Sequence, residues 1–156
     1  MDTTSFDTAV RLAIMDTFVT TGATPSVGAV ASTLGADSGA VEAAFDRLAT
    51  GRAIVLVPGT RDIRMAAPFA GGPTDFRVQV GDRSYHANCI WDAVGIPAML
   101  AGAGRSADAR IETQCADCSA PLGLSVDAGR LTTDVPDAVA HFAVPAARWW
   151  ADIVFT

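Results

Sequence analysis

Lysine is absent from this chain; all 11 of its basic residues are arginine. They face 17 Asp and Glu, for a formal net charge of -6. A partner with a phosphate backbone needs a basic face to neutralise it, so the charge balance argues against nucleic acid as a partner for this chain. Cysteine is scarce as well, at three residues. An odd count without a secretory signal argues against a disulfide scaffold and for reactive or metal-binding thiols in a reduced cytoplasm. No apolar run approaches the roughly 20 residues that cross a bilayer. The N-terminus lacks a basic stretch followed by a continuous apolar block, so neither a signal peptide nor a membrane partner is expected. Internal repeats, low-complexity tracts and long charge runs are missing too. What is present is a chain of 156 residues, 50% hydrophobic. That suits one ordinary domain or two small ones with a compact core.

Helical spacing of Phe6, Val10, Leu12, Ala13, Ile14 and Phe18 predicts a first helix over 5–20, stopped by Gly22. Thr24 as N-cap and Pro25 at the first helical position predict a second helix that ends at Gly35. A third is expected from Asp37-Ser38 to Gly51, carrying Val41, Ala44, Phe45 and Leu48. Residues 53–57, the turn Pro58-Gly59-Thr60-Arg61-Asp62 and residues 63–66 read as strand, turn and strand. Three helices and a hairpin make a winged-helix-like layout over 1–67. The third helix carries Glu42 and Asp46 beside a single Arg47, a poor face for DNA. A structural or lid domain suits it better.

Pro68, Gly71, Gly72 and Pro73 mark 68–75 as a linker, leaving 76–156 as a second domain. In that domain Phe76–Val80 and Arg83–Tyr85 alternate as strands. Residues 110–114 and 122–126 form a hairpin around Cys115-Ala116-Asp117-Cys118. Leu131–Thr133, His141–Val144 and a last apolar run over 149–155 are further strand candidates. The fold class expected is therefore α+β, with a helical domain first and mixed strands after it.

The chemistry is concentrated in Ser84–Leu100. Tyr85 ends a strand, Asn88 is a good N-cap, and the helix that follows should break near Gly95 and Pro97. Cys89 and Asp92, three residues apart, share one helix face and can converge on one small ligand. A thiol at a helix start meets the positive end of the dipole and free N–H groups, which favours the thiolate. The plainer reading is a buried structural cysteine beside an exposed aspartate. Trp91, next to Cys89, packs in the core or walls an apolar pocket. Cys115 and Cys118 have knuckle spacing for zinc or another soft metal, yet a structural zinc site wants four ligands. His86 and His141 could add at most two imidazoles, and each reads more readily as a packed or hydrogen-bonded histidine.

The run Tyr85 … Cys89-Ile90-Trp91-Asp92 … Ile96-Pro97-Ala98-Met99-Leu100 resembles the core of the alkylmercury lyases. The resemblance continues through Arg110–Cys115, Ala120-Pro121-Leu122, Leu124–Val126 and Ala138–Pro145. It implies protonolysis of a carbon–mercury bond to a hydrocarbon and Hg(II), with no resident cofactor required. It makes Cys89 the mercury ligand, and Asp92 the proton shuttle and a ligand to the bound Hg(II) product. Cys115 matches a family cysteine outside the catalytic set, and Cys118 has no counterpart. The implied partners are a small organomercurial and a thiol-reducing system or mercury-accepting protein. The family's second catalytic cysteine falls just after Thr156, where this sequence stops. One expectation is an in-frame UGA read as selenocysteine at that position; a clipped end or a degraded gene are the others. Two alternatives stand beside the lyase: a non-catalytic thiol-based metal binder using Cys89, Cys115 and Cys118, and a metal-responsive winged-helix regulator.

Overall fold

A computed structural model describes residues 2–105 and 107–153. Helix α1 (Thr3–Thr21) is capped by Asp2, whose carboxylate accepts the Ser5 N–H at 2.9 Å. It closes on Gly22 in the left-handed conformation at φ 72°, with the Gly22 N–H on the Phe18 carbonyl. Glycine is needed there twice over, because a Cβ would lie 2.5 Å from the Ser84 carbonyl oxygen. Val10, Ala13, Ile14 and Phe18 are buried as the spacing predicts, but Leu12 is 63% exposed. It sits two residues from Val10 and from Ile14, off their shared face.

Helix α2 (Val27–Leu34) starts two residues later than expected. Ser26, not Thr24, is its cap and accepts the Ala29 N–H at 3.2 Å. The Thr24 hydroxyl is occupied elsewhere, donating to the Gly71 carbonyl at 2.7 Å. Helix α3 (Ser38–Thr50) begins as predicted, capped by Asp37. Strands β1 (Val55–Leu56), β2 (Ile63–Ala66) and β3 (Phe69–Ala70) form an antiparallel sheet in that order. Gly71, just after β3, lies tight against β2: its N–H donates to the Arg64 carbonyl at 2.8 Å, and a Cβ there would fall 1.7 Å from the Ile63 carbonyl oxygen.

The second sheet has β4 (Arg77–Val80), β5 (Arg83–His86), β6 (Ala109–Gln114), β7 (Pro121–Asp127) and β8 (Arg130–Thr133). Its order is β5-β4-β6-β7-β8 and every neighbouring pair is antiparallel, so the strands are not mixed in direction. Helix α4 (Ile90–Gly102) crosses it against β4 and β6. It runs through Gly95 and Pro97, where a break was expected. Ala93, Ile96, Pro97 and Leu100 follow i, i+3, i+4, i+7 and are all buried. Burial of that face offsets the ~3 kcal/mol that an interior proline costs a helix.

Two strand expectations near the C-terminus fail. Residues 141–144 form no strand, and residues 146–151 wind into a short 3₁₀ helix, Ala146–Ala151. The Trp149 indole N–H donates to the Val144 carbonyl at 2.8 Å, closing this segment on itself rather than on a sheet edge. Residues 154–156 of that run lie outside the described residues.

The buried core is continuous from α1 to β7. Phe69, within 68–75, stacks on Phe18 at 5.0 Å and 6°, and meets Tyr85 at 5.6 Å. The Tyr85 hydroxyl donates to the Val19 carbonyl at 3.0 Å. Phe69 therefore bonds the helical half to the larger sheet. Replacing Phe69 by Ala is expected to cost about 3–5 kcal/mol in a urea titration. A loss below ~1 kcal/mol contradicts this role for the residue.

Candidate functional site

The site is built where β5 passes into α4. The Ala87 N–H donates to the Phe76 carbonyl at 2.9 Å, and Ala87 bridges Phe69. Ala87 is fully buried, so the chain direction at this point is fixed by packing. Cys89 then occupies the N-cap position of α4 in an extended conformation, and its carbonyl accepts the Ala93 N–H at 2.9 Å. Asn88, expected as the cap, has a different task. Its amide donates to Asp92 Oδ2 at 2.8 Å and toward the Phe69 and Pro68 carbonyls at 3.3 and 3.4 Å. Asn88 thus ties the Asp92 carboxylate to the backbone around Phe69. Its own Oδ1 is buried and has no hydrogen-bond partner among the described residues.

Cys89 and Asp92 open into one cavity of about 530 Å³. Arg52 and Ile54, between α3 and β1, and Met65 of β2 line one part of it. Phe142, Trp149, Trp150 and Ile153 form another, with His141 beside them. Phe142 and Trp149 pack with ring centroids 5.5 Å apart, and the Arg52 guanidinium lies 5.5 Å over the Trp150 ring. The cavity is thus mainly apolar, with a thiol and a carboxylate together at one helix start. Trp91 does not wall it, being 64% exposed. The aromatic wall comes from Trp149 and Trp150, 58 and 59 residues beyond Trp91, and the hint of them in the sequence is their adjacency.

Burial governs the electrostatics. It pushes the Cys89 thiol above its ordinary pKa, and the Asp92 charge adds to the rise. The backbone N–H groups of Asp92 and Trp91 pull the other way, but they close no capping bond to the side chain and do not win. The expectation of a thiolate favoured by the helix start is therefore corrected: desolvation outweighs the dipole here. Asp92 is also raised, by burial, against the hydrogen bond from Asn88 that lowers it. Burial thus disfavours the charged form of each group.

Cys115 and Cys118 lie outside the cavity wall, on the turn from β6 to β7, although Ala116 between them lines it. The Cys115 N–H donates to the Ala120 carbonyl at 2.8 Å, and the Ser119 N–H donates to the Cys115 carbonyl at 2.9 Å. Cys115 is held below the ordinary thiol range by the N–H groups of Cys118 and Asp117 and by the Cys118 thiol. All three cysteines are reduced. Among the described residues no three His, Cys, Asp or Glu side chains converge on a metal-sized point, so this pair lacks the further ligands that structural zinc wants. His86 is engaged, its Nδ1 accepting the Thr74 N–H at 3.2 Å. Among the described residues no helix is long and apolar enough to cross a membrane.

The family model described as alkylmercury lyase matches residues 69–156, more than half of the chain. Among solved structures, the fold is similar to the "Crystal structure of the mercury-bound form of MerB2". That likeness has a TM-score of 0.55 at 19% identity, over 83% of this chain and 68% of the other. No curated protein matches the chain.

The opposite shifts of Cys89 and Cys115 are testable by iodoacetamide labelling across pH with peptide mass spectrometry. Cys115 is expected to reach its half-maximal rate below the ordinary thiol pKa and Cys89 above it. Asp92→Asn removes a negative charge beside Cys89 and should lower the Cys89 midpoint. Midpoints in the reverse order contradict the electrostatic account.

Proposed function

Because the chain belongs to the alkylmercury lyase family, we propose that it cleaves the carbon–mercury bond of a small organomercurial by protonolysis, with Cys89 binding mercury and Asp92 moving the proton. The observation that carries this reading is the shared cavity: a soft sulfur and a carboxyl on one helix turn, facing apolar walls. Mercury is soft and prefers sulfur. The walls of Phe142, Trp149 and Trp150 suit an organic group. Cys89 gives up its proton as its sulfur displaces the outgoing ligand from R–Hg–X, forming Cys89–S–Hg–R and releasing X⁻. Asp92, with its pKa raised by burial, accepts that proton. The same proton then goes to carbon: the carbon–mercury electron pair becomes the new C–H bond and the hydrocarbon leaves. Hg(II) stays on the Cys89 sulfur with the Asp92 carboxylate as second ligand. Removal of the metal falls to a low-molecular-weight thiol or a mercury-accepting protein.

We read α1–α3 with the β1–β2 hairpin as a winged-helix-like unit that serves as a cavity wall, since Arg52, Ile54 and Met65 belong to it. A DNA-reading role has little support. Arg47 pairs with Asp7 at 2.6 Å, and Arg61 pairs with Asp46 at 2.8 Å and with Glu42 at 3.6 Å. These arginines are neutralised from within the unit rather than left for phosphates.

The test is hydrocarbon release from an arylmercurial, followed by gas chromatography. Cys89→Ser is expected to release none. Asp92→Asn should still bind the substrate and be slower by roughly 10²–10⁴-fold, the usual loss on removing a proton-transfer group. A Cys89→Ser chain that turns over like the unaltered one sinks the proposal, and a chain that binds Hg(II) but never yields hydrocarbon supports the non-catalytic binder instead.

A further inference from the structure

We infer that Cys115 and Cys118 form a chelating dithiol for Hg(II) at the rim of the Cys89 cavity, and that the metal passes to it from Cys89 after protonolysis. The transfer rests on the lyase reading above, whereas the chelate stands without it. The β6–β7 loop makes a single helical turn, closed by the bond from the Ser119 N–H to the Cys115 carbonyl. Residues i and i+3 of such a turn share a face, which places Cys115 and Cys118 on one side of the hairpin end. The turn thus lays out two thiols at one end of the β6–β7 hairpin. Ala116, inside the same turn, belongs to the wall of the cavity that Cys89 and Asp92 face. Cys118 is exposed and Cys115 half-buried, so the pair is open to solvent while bordering the cavity.

The chemistry favours movement outward. Among the described residues Cys89 is the one thiol on the cavity wall, and its companion Asp92 is a hard oxygen ligand that suits mercury poorly. The turn offers two soft sulfurs instead of one. Once the first has bound, closure onto the second is intramolecular and strongly favoured. The exchange balances without electron transfer. Cys89–S–Hg–O–Asp92 plus the Cys115 and Cys118 thiols becomes Cys115–S–Hg–S–Cys118, and the two released protons end on the Cys89 sulfur and the Asp92 carboxylate. Loss of the Asp92 proton to solvent then restores the thiol and carboxylate with which the cycle began. Mercury accepts two sulfurs as a complete set, where structural zinc would need four ligands, so the pair fits Hg(II) better than zinc.

The test titrates reduced protein with mercuric chloride in excess glutathione, reading the ultraviolet mercury–thiolate band and the intact mass. Cys89→Ser is expected to keep one Hg(II) per chain. The double variant Cys115→Ser/Cys118→Ser should lose the competition with glutathione by at least ~10²-fold, the scale of a lost chelate. If Cys89→Ser surrenders its metal as readily as the double variant, the chelate is overturned. With an arylmercurial, the double variant should release hydrocarbon once and then stall until a dithiol is added. Sustained turnover in that variant without dithiol overturns the transfer. If the unaltered chain releases no hydrocarbon, the lyase reading falls, while the mercuric chloride titration still decides the chelate.

Discussion

Phe69 is the residue on which the position of the site depends. Its ring is held between Phe18 of α1 and Tyr85 of β5, and its backbone bridges Ala87 and accepts from the Asn88 amide. One buried aromatic therefore joins the helical half to the larger sheet and fixes the chain just before Cys89. Interiors are close-packed and tolerate little displacement, so a site built two residues from such a contact inherits its rigidity. Gly22 contributes to the same junction, because only a missing Cβ lets the end of α1 approach the Ser84 carbonyl.

A buried cavity disfavours charge, and the consequences differ for the two groups on the α4 start. For Cys89 burial works against the thiolate and outweighs the helix amides. For Asp92 burial works toward a protonated carboxyl, tempered by the Asn88 amide. In the proposed reaction this is useful rather than inhibitory. A thiol that holds its proton until a soft metal displaces it delivers that proton inside the cavity, to a carboxylate that the same burial has made more basic. The proton held on the thiol and the basicity of the carboxylate that receives it then have one physical origin.

The exposed turn is governed by the opposite regime. Cys115 faces backbone amides and the neighbouring thiol rather than apolar walls, and it is shifted toward its thiolate. In the proposed scheme a buried, proton-holding thiol serves bond cleavage, and an accessible pair of thiols on the same cavity's border serves metal release.

Much of this was legible in the sequence. The stop of α1 at Gly22, the start of α3 at Asp37-Ser38, the alternation of β4 and the hairpin of β6 and β7 follow from local propensity and period, and these need no distant partner. The pairing of Cys89 with Asp92 followed from helical spacing alone, and the resemblance of Tyr85–Leu100 to alkylmercury lyases gave it a chemistry. Other features depended on contacts between segments far apart. Asn88 gave up the cap because Asp92 and the Phe69 carbonyl offered its amide better partners. Pro97 stayed inside α4 because its face is buried on β4 and β6. Trp149 and Trp150 wall the cavity through a 3₁₀ turn that their apolar, strand-like run did not foretell. The sign of the Cys89 shift was likewise a tertiary matter. A helix dipole can be read from a few neighbouring residues, whereas desolvation depends on every segment that closes over the sulfur.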